Sequence, residues 1–244
     1  NIDPFLFGGK DKWHTTRLIS NLANRIMGYT ATADASDGKR SFLDEGFVKA
    51  CTIAQDMGTK GYLGIGFNSV EFNTAVETFL MGGCAMLYTG TFSVGNMNDP
   101  NLCGIGSENI GFFSFPEVEG GLGTSKDYVA HAGQVLVANK ATWDDAVADF
   151  VKYIVTHAGN YSMEKYQWLM GYAYDPVEEL PPVTKLVLEA KGEAENLMLW
   201  WETRMDSKTT DVAKDNAQLM LAGEMDVNTY LQLIQESTNE FLGK

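Results

Sequence analysis

The stretch from Gly66 to Gly95, GFNSVEFNTAVETFLMGGCAMLYTGTFSVG, limits what this chain can fold into more than any other. Asn68 is placed to cap a helix, and Glu71 follows three residues later, where its carboxylate can reach back to the free backbone N–H groups. Val70, Phe72, Ala75, Val76, Phe79 and Leu80 then recur at the spacing of one helical face, which has to bury against something. Gly82 and Gly83 stop the helix. Cys84 to Tyr88 is a short apolar run bounded by glycines, the pattern of a buried strand, and Thr89-Gly90-Thr91-Phe92 turns away from its carboxyl end. In open α/β sheets that end faces the ligand crevice.

A chain of 244 residues holds one large domain or two small ones, with ample material for a core. Its formal net charge of −14, without any cluster of Lys and Arg, argues against a nucleic-acid or anionic-membrane partner, because phosphates are neutralised by grouped cations. No apolar run is long enough to span a bilayer. Cys51, Cys84 and Cys103 lack metal-ligand spacing, and the expectation is buried free thiols.

Taken in order, Leu18, Ile19, Leu22, Ala23 and Ile26 form one face of a helix that stops at Gly28. Asp34 to Glu45 briefly suggests a calcium loop, but its glycine falls one position early, and an exposed turn is expected. Leu43, Phe47, Ala50, Cys51 and Ala54 give a second helix ending at Gly58. From Ser93 to Asn109 the pattern loses its period, as a loop or short helix does. Ile110 to Phe115, closed by Pro116, reads as a strand, and Glu117 to Asp127 as a flexible acidic, Gly-rich loop. Val135 to Ala138 reads as a further buried strand. Thr142 with Asp145 caps a helix whose face is Val147, Phe150, Val151 and Ile154 and whose last turn holds His157, a dipole partner there. Tyr161 to Leu169 reads as a separate helix. Pro182 opens the next, and a helix stopped by Gly223 precedes a last one capped by Asp226.

None of the motifs that announce hydrolytic, redox or phosphate chemistry occurs, and His14, His131 and His157 are far apart in sequence, so no catalytic residue, metal site or cofactor is expected. The distinctive feature is aromatic residues in loops: Trp13 after Lys-Asp-Lys, Phe92 after the strand, Tyr128 after a Gly-rich loop, and the pair Trp200-Trp201. A sugar ring offers one face of C–H bonds to an aromatic plane and a rim of hydroxyls that need fixed polar partners. Asp11, Lys12, Thr91, Gln134, Glu202 and Arg204 lie beside those aromatics, and carboxylate or guanidinium groups can engage two neighbouring hydroxyls at once. Each aromatic has a plainer role available. Trp13 can staple the following helix, Phe92 can be core, and of the neighbours Trp200 and Trp201 one is expected in the core and one, with Trp201 favoured, on a cleft.

The helix, Gly-Gly stop, Met-containing apolar strand and Gly-x-aromatic turn of residues 66–95 resemble the signature of the extracellular solute-binding proteins of ABC sugar transporters. PFLFGGKDKW (residues 4–13) is similar to the segment that opens the family's C-terminal lobe, GFFSFP (111–116) to the strand returning to the other lobe, and LAGEMDVNTYLQLI to its closing helix pair. Phe92 stands where the family often has Trp. The resemblance implies an α/β fold of the periplasmic-binding-protein type II kind, in which two lobes close on a carbohydrate and hand it to a membrane permease, outside the cytoplasm as a surface lipoprotein or in the periplasm. It implies that residues 1–110 and 159–244 belong to the C-terminal lobe and 111–158 to a segment crossing to the N-terminal lobe. The bulk of that lobe would lie outside residues 1–244, leaving an apolar face on 135–157 to pack on the C-terminal lobe, to self-associate with a second copy of the chain or to stay locally disordered. Competing readings are a carbohydrate-active enzyme or its accessory domain, for which two cleft carboxylates at glycosidase separation would speak, and a receptor for a peptide or polyamine, for which a charged, aromatic-poor cleft would.

Overall fold

The amphipathic stretches fold as helices whose limits follow their caps and glycines. A computed structural model describes residues 2–130, 136–167 and 169–244. In chain order the elements are β1 (Asp3–Phe5), α1 (Trp13–Met27), α2 (Ala31–Ser36), α3 (Glu45–Thr59), α4 (Phe72–Leu80), β2 (Cys84–Met86), α5 (Val94–Asn98), β3 (Asp127–Val129), α6 (Asp145–Tyr166), α7 (Pro182–Gly192), β4 (Asn196–Met198), α8 (Ser207–Leu221) and α9 (Val227–Leu242). The strands form two parallel pairs, β1 with β2 and β3 with β4. Two compact units result: Asn1–Tyr88 with Phe113–Ala130 and Ala190–Lys244, and Thr89–Phe112 with His131–Glu189.

The first unit is built on α1, which packs against α3 and α8, with α9 closing over α3 and α8. Leu18, Ile19, Leu22 and Ala23 of α1 meet Phe47, Ala50 and Ala54 of α3 and Ala213, Ala217 and Leu221 of α8 in one continuous core, joined by Trp201 and Tyr230. Small residues on these faces let the helices approach closely. At Gly58 the approach is tightest, since an added Cβ would stand 2.0 Å from the Leu221 carbonyl oxygen. The Asp206 carboxylate accepts from the N–H groups of Lys208 and Thr209, and Asp226 from that of Thr229, so α8 and α9 start where their caps dictate. Arg25, fully buried near the end of α1, donates from Nε to the Phe115 carbonyl, from Nη1 to that of Asp127 and from Nη2 to Ser114, which ties the 114–127 segment to the helix.

In the second unit, the Asn98 side chain accepts from Val183 N–H and donates to Thr184 Oγ1, fixing α5 to the start of α7. Asp144 caps α6 by accepting from Val147 N–H. Of the predicted face of this helix, Phe150 is 63% exposed, while Val147, Val151 and Ile154 are half-buried.

Several expectations need correction. Asn68 lies in a short 3-10 turn, Phe67–Ser69, and donates to the Gln218 carbonyl instead of capping α4, while Glu71 pairs with Lys10 at 2.6 Å. The cap comes from a distant residue, Asp11, whose carboxylate accepts from Phe72 N–H at 2.8 Å. Strand β2 is buried only at Cys84, Met86 being 40% exposed, because a two-stranded pair leaves one face uncovered. Residues 110–115 form no ladder, and Arg25 takes the carbonyl of Phe115. Part of the Asp34–Glu45 turn is helical as α2. One helix, α6, runs through both of the stretches read as separate, so His157 is mid-helix and stacks on Tyr153 at 4.1 Å. The 135–138 strand begins at Val135, outside the described residues, and residues 136–138 have no strand.

Substituting Gly58→Ala should cost about 1–3 kcal/mol, because the new methyl group meets backbone that has no rotamer to move. A denaturant midpoint equal to that of the wild type would show that α3 and α8 separate freely at this crossing.

Candidate functional site

Gly8 and Gly9 let the chain between β1 and α1 lie against the start of α4: a Cβ at Gly8 would stand 2.6 Å from Phe72 Cα. Lys12, with a φ of 62°, then turns the backbone sharply into α1, a conformation costly for a residue with a Cβ. Trp13 is thereby set at the first position of α1, and Arg17 follows one turn later on the same face.

The guanidinium carbon of Arg17 lies 4.4 Å from the Trp13 ring centre and 5.0 Å from that of Trp200. Glu202 completes the group, its Oε1 3.5 Å from Arg17 Nε, with side-chain exposures of 22% for Arg17 and 12% for Glu202. Neither oxygen of Glu202, nor Arg17 Nε, makes a hydrogen bond among the described residues, and all three atoms are shut off from solvent. Arg17 Nη1 and Nη2 have no partner there either. Trp200 and Glu202 come from the chain just after β4, in the extended residue and short 3-10 turn (Trp201–Thr203) that precede α8. Lys12 Nζ sits 2.7 Å from Asp215 Oδ1 on α8.

Behind this group lies an aromatic stack. His14 is stacked on Phe7 at 4.3 Å and on Tyr88 at 5.1 Å, and meets Phe72 edge-on. Burial, with a smaller push from the Arg17 charge, lowers the His14 pKa to about 3, so the ring is neutral at ordinary pH. The Tyr88 hydroxyl is bonded to Asn21 and, like the Cys51 thiol, is pushed up in pKa by burial.

The residues singled out from sequence are distributed as follows. Trp13, Trp200 and Glu202 are brought together, with Lys12 beside them. Trp201 is fully buried against Phe42 and Phe47, while Trp200 is the half-buried partner of Arg17, so the exposure of this pair is the reverse of the expectation. Asp11 serves as the α4 cap, and Arg204 forms a two-pronged pair with Asp37 at 2.7 and 2.9 Å. Tyr128 sits in β3 opposite Leu197. Thr91 and Phe92 belong to the second unit, in the turn Thr91–Ser93, with Phe92 42% exposed. Gln134 lies outside the described residues. Arg17 is the site residue that the sequence reading missed. The signal for it was the i, i+4 spacing of Trp13 and Arg17, which places an indole and a guanidinium one above the other on a helix.

Chemically, the group offers a guanidinium close to two indole rings, with a carboxylate near its Nε. Among the described residues no cluster of His, Cys, Asp and Glu could hold a metal ion, and no helix is long and apolar enough to cross a membrane.

Desolvation raises the Glu202 pKa above the ordinary carboxylate value, against the opposing pull of Arg17 and Lys214. The native state therefore keeps this proton after the unfolded chain has released it, and the contribution of Glu202 to stability falls as pH rises through that window. Glu202→Gln, which mimics the protonated form, should gain on the wild type in urea midpoint as pH is raised from about 4 into the neutral range. A difference that stays constant with pH would contradict the assignment.

No protein-family model and no curated protein matches this chain. Solved structures do. A protein studied in xylan utilization by the thermophilic bacterium Caldanaerobius polysaccharolyticus is 23% identical with a TM-score of 0.83, covering 96% of this chain and 61% of its own. A chitin oligosaccharide binding protein is 18% identical at a TM-score of 0.84, covering all of this chain and 61% of its own. A bacterial solute receptor described as having an exclusive preference for β-D-galactopyranose is 16% identical at 0.72, covering 98% and 60%. The chain thus spans about three-fifths of the length of the proteins it matches. The parallel strand pairs, the helices around them and this similarity along nearly the whole sequence agree on one conclusion: the chain has the α/β fold of the periplasmic-binding-protein-like solute receptors.

Proposed function

We propose that this protein is the carbohydrate-capturing component of an ABC transporter, which holds a mono- or oligosaccharide and delivers it to a membrane permease without making or breaking a bond. The observation that carries the reading is the placement of Trp13, Arg17, Trp200 and Glu202 in one group on a fold shared with solute receptors, some of them described as binding sugars. The guanidinium, aimed by the two indoles and the buried carboxylate, suits neighbouring hydroxyls of a pyranose. A role in capture places the protein outside the cytoplasm, as a surface lipoprotein or in the periplasm. Thr91, Phe92, Tyr128 and Gln134 would contribute from elsewhere on the chain. The lobe assignment implied by the resemblance, with residues 111–158 crossing to an N-terminal lobe and an apolar face there available for self-association, belongs to the same proposal.

The test is calorimetric titration of xylo-oligosaccharides, chitin oligosaccharides, galactose and stachyose into the protein expressed from its complete gene, with chromatography of the sugar afterwards. Saturable binding of at least one sugar, recovered unchanged, is the expected result. Failure of the whole panel, or recovery of cleaved sugar, would overturn the reading.

A further inference from the structure

Two arginines on α1 have opposite fates. Arg25 spends donors from Nε, Nη1 and Nη2 on the protein itself. Arg17 spends none, yet it is held as firmly as a side chain of that length can be: indole rings at 4.4 and 5.0 Å, and a carboxylate 3.5 Å from its Nε. Cation–π contact and the nearby charge remove most of its rotamer freedom before any ligand arrives, so little entropy remains to be lost on binding. Glu202 stands 3.5 Å from Nε, and among the described residues Nη1 and Nη2 make no hydrogen bond. Because both Glu202 oxygens are shut off from solvent, the carboxylate acts on a ligand through Arg17 and not by touching it.

We propose that Arg17 is the specificity-determining residue of this site, donating from Nη1 and Nη2 to two adjacent hydroxyl oxygens of a neutral sugar, with Glu202 as its positioning residue. The inference rests on the carbohydrate-binding reading above and deepens it. A fork of two parallel donors matches a pair of neighbouring oxygens and discriminates by geometry, where a lysine would supply only a point charge. The choice of a neutral ligand follows from charge. Arg17 already faces Glu202, Lys12 is paired with Asp215, Glu202 also feels Lys214, and the whole chain carries −14, so an added carboxylate would compete with Glu202 and meet a repulsive field. The two indoles are, on this account, the walls that aim the guanidinium and not a pair of open stacking platforms.

The experiment uses the protein from its complete gene and the sugar that gives the tightest binding in the panel above, together with its deoxy analogues, each lacking one hydroxyl, and its uronic-acid counterpart. In the wild type, removal of either of two adjacent hydroxyls should weaken binding roughly ten- to hundredfold, as loss of a partner by a charged donor does. Arg17→Met should bind the parent sugar weaker by a similar factor and be indifferent to those same two deletions. Arg17→Lys should fall near Arg17→Met, because charge without the fork does not suffice. Glu202→Gln should bind the parent sugar weaker by a smaller factor and keep its sensitivity to the two deletions.

Unchanged affinity in Arg17→Met, or a variant that binds weakly yet loses as much as the wild type on each deletion, would overturn the role of Arg17 while leaving carbohydrate capture intact. Tighter binding of the uronic acid would overturn the neutral-ligand assignment. A wild type that binds no member of the panel would sink the functional reading and this inference with it.

Discussion

Everything in the first unit depends on the burial of α1. Of its fifteen residues, eleven are buried, which leaves only Trp13, Arg17, Ile26 and Met27 with appreciable exposure. One aliphatic face fills the core shared with α3 and α8, and Leu18, Ile19 and Leu22 on that face supply the apolar area that holds the helix in place. Next to that face, His14 is buried in a stack with Phe7 and Tyr88, where its neutrality avoids the cost of a charge in an apolar setting. A helix held on so many sides is a rigid mount. The polar group that it projects partway along, Arg17, inherits that rigidity.

The environment of Arg17 is the inverse of what stability alone would select. A buried carboxylate whose oxygens lack hydrogen bonds is costly, and a neighbouring guanidinium at 3.5 Å only partly offsets it. The Lys12 backbone, with its positive φ, adds strain at the same place. Arg25 shows the alternative: the same residue type on the same helix, with Nε, Nη1 and Nη2 each satisfied by the protein. Polar atoms left without hydrogen bonds at Arg17 and Glu202, on a framework otherwise well capped and well packed, support the ligand site proposed above.

The helices were legible because period and punctuation agree. Leu18 to Ala23 before Gly28, Phe47 to Ala54 before Gly58, and Tyr230 to Ile234 after the Asp226 cap all fold as the pattern implies. The strands were less so. An apolar run such as Ile110 to Phe115 reports that side chains avoid water, but not whether its backbone finds a partner, and here it finds Arg25 instead of a ladder. The helix end expected near His157 is likewise absent: α6 continues through Gly159, whose lack of a Cβ lets it lie close against the Ala173 carbonyl.

By itself the sequence determined the helices around Leu18–Ala23, Phe47–Ala54 and Tyr230–Ile234, and that aromatic and charged residues lie side by side along the chain at Trp13 and at Trp200. Spacing along a chain is enough for such statements. Tertiary structure alone decided that Trp200 and not Trp201 stands beside the charged group, that Asp11 caps α4, that Arg204 is taken by Asp37, and that Arg17 is the residue left with donors to give. Each of these depends on which distant group arrives next to a side chain. Hydrogen bonds and burial are settled by neighbours in space, and α8, Trp200 and Glu202, which meet α1, come from the far end of the chain.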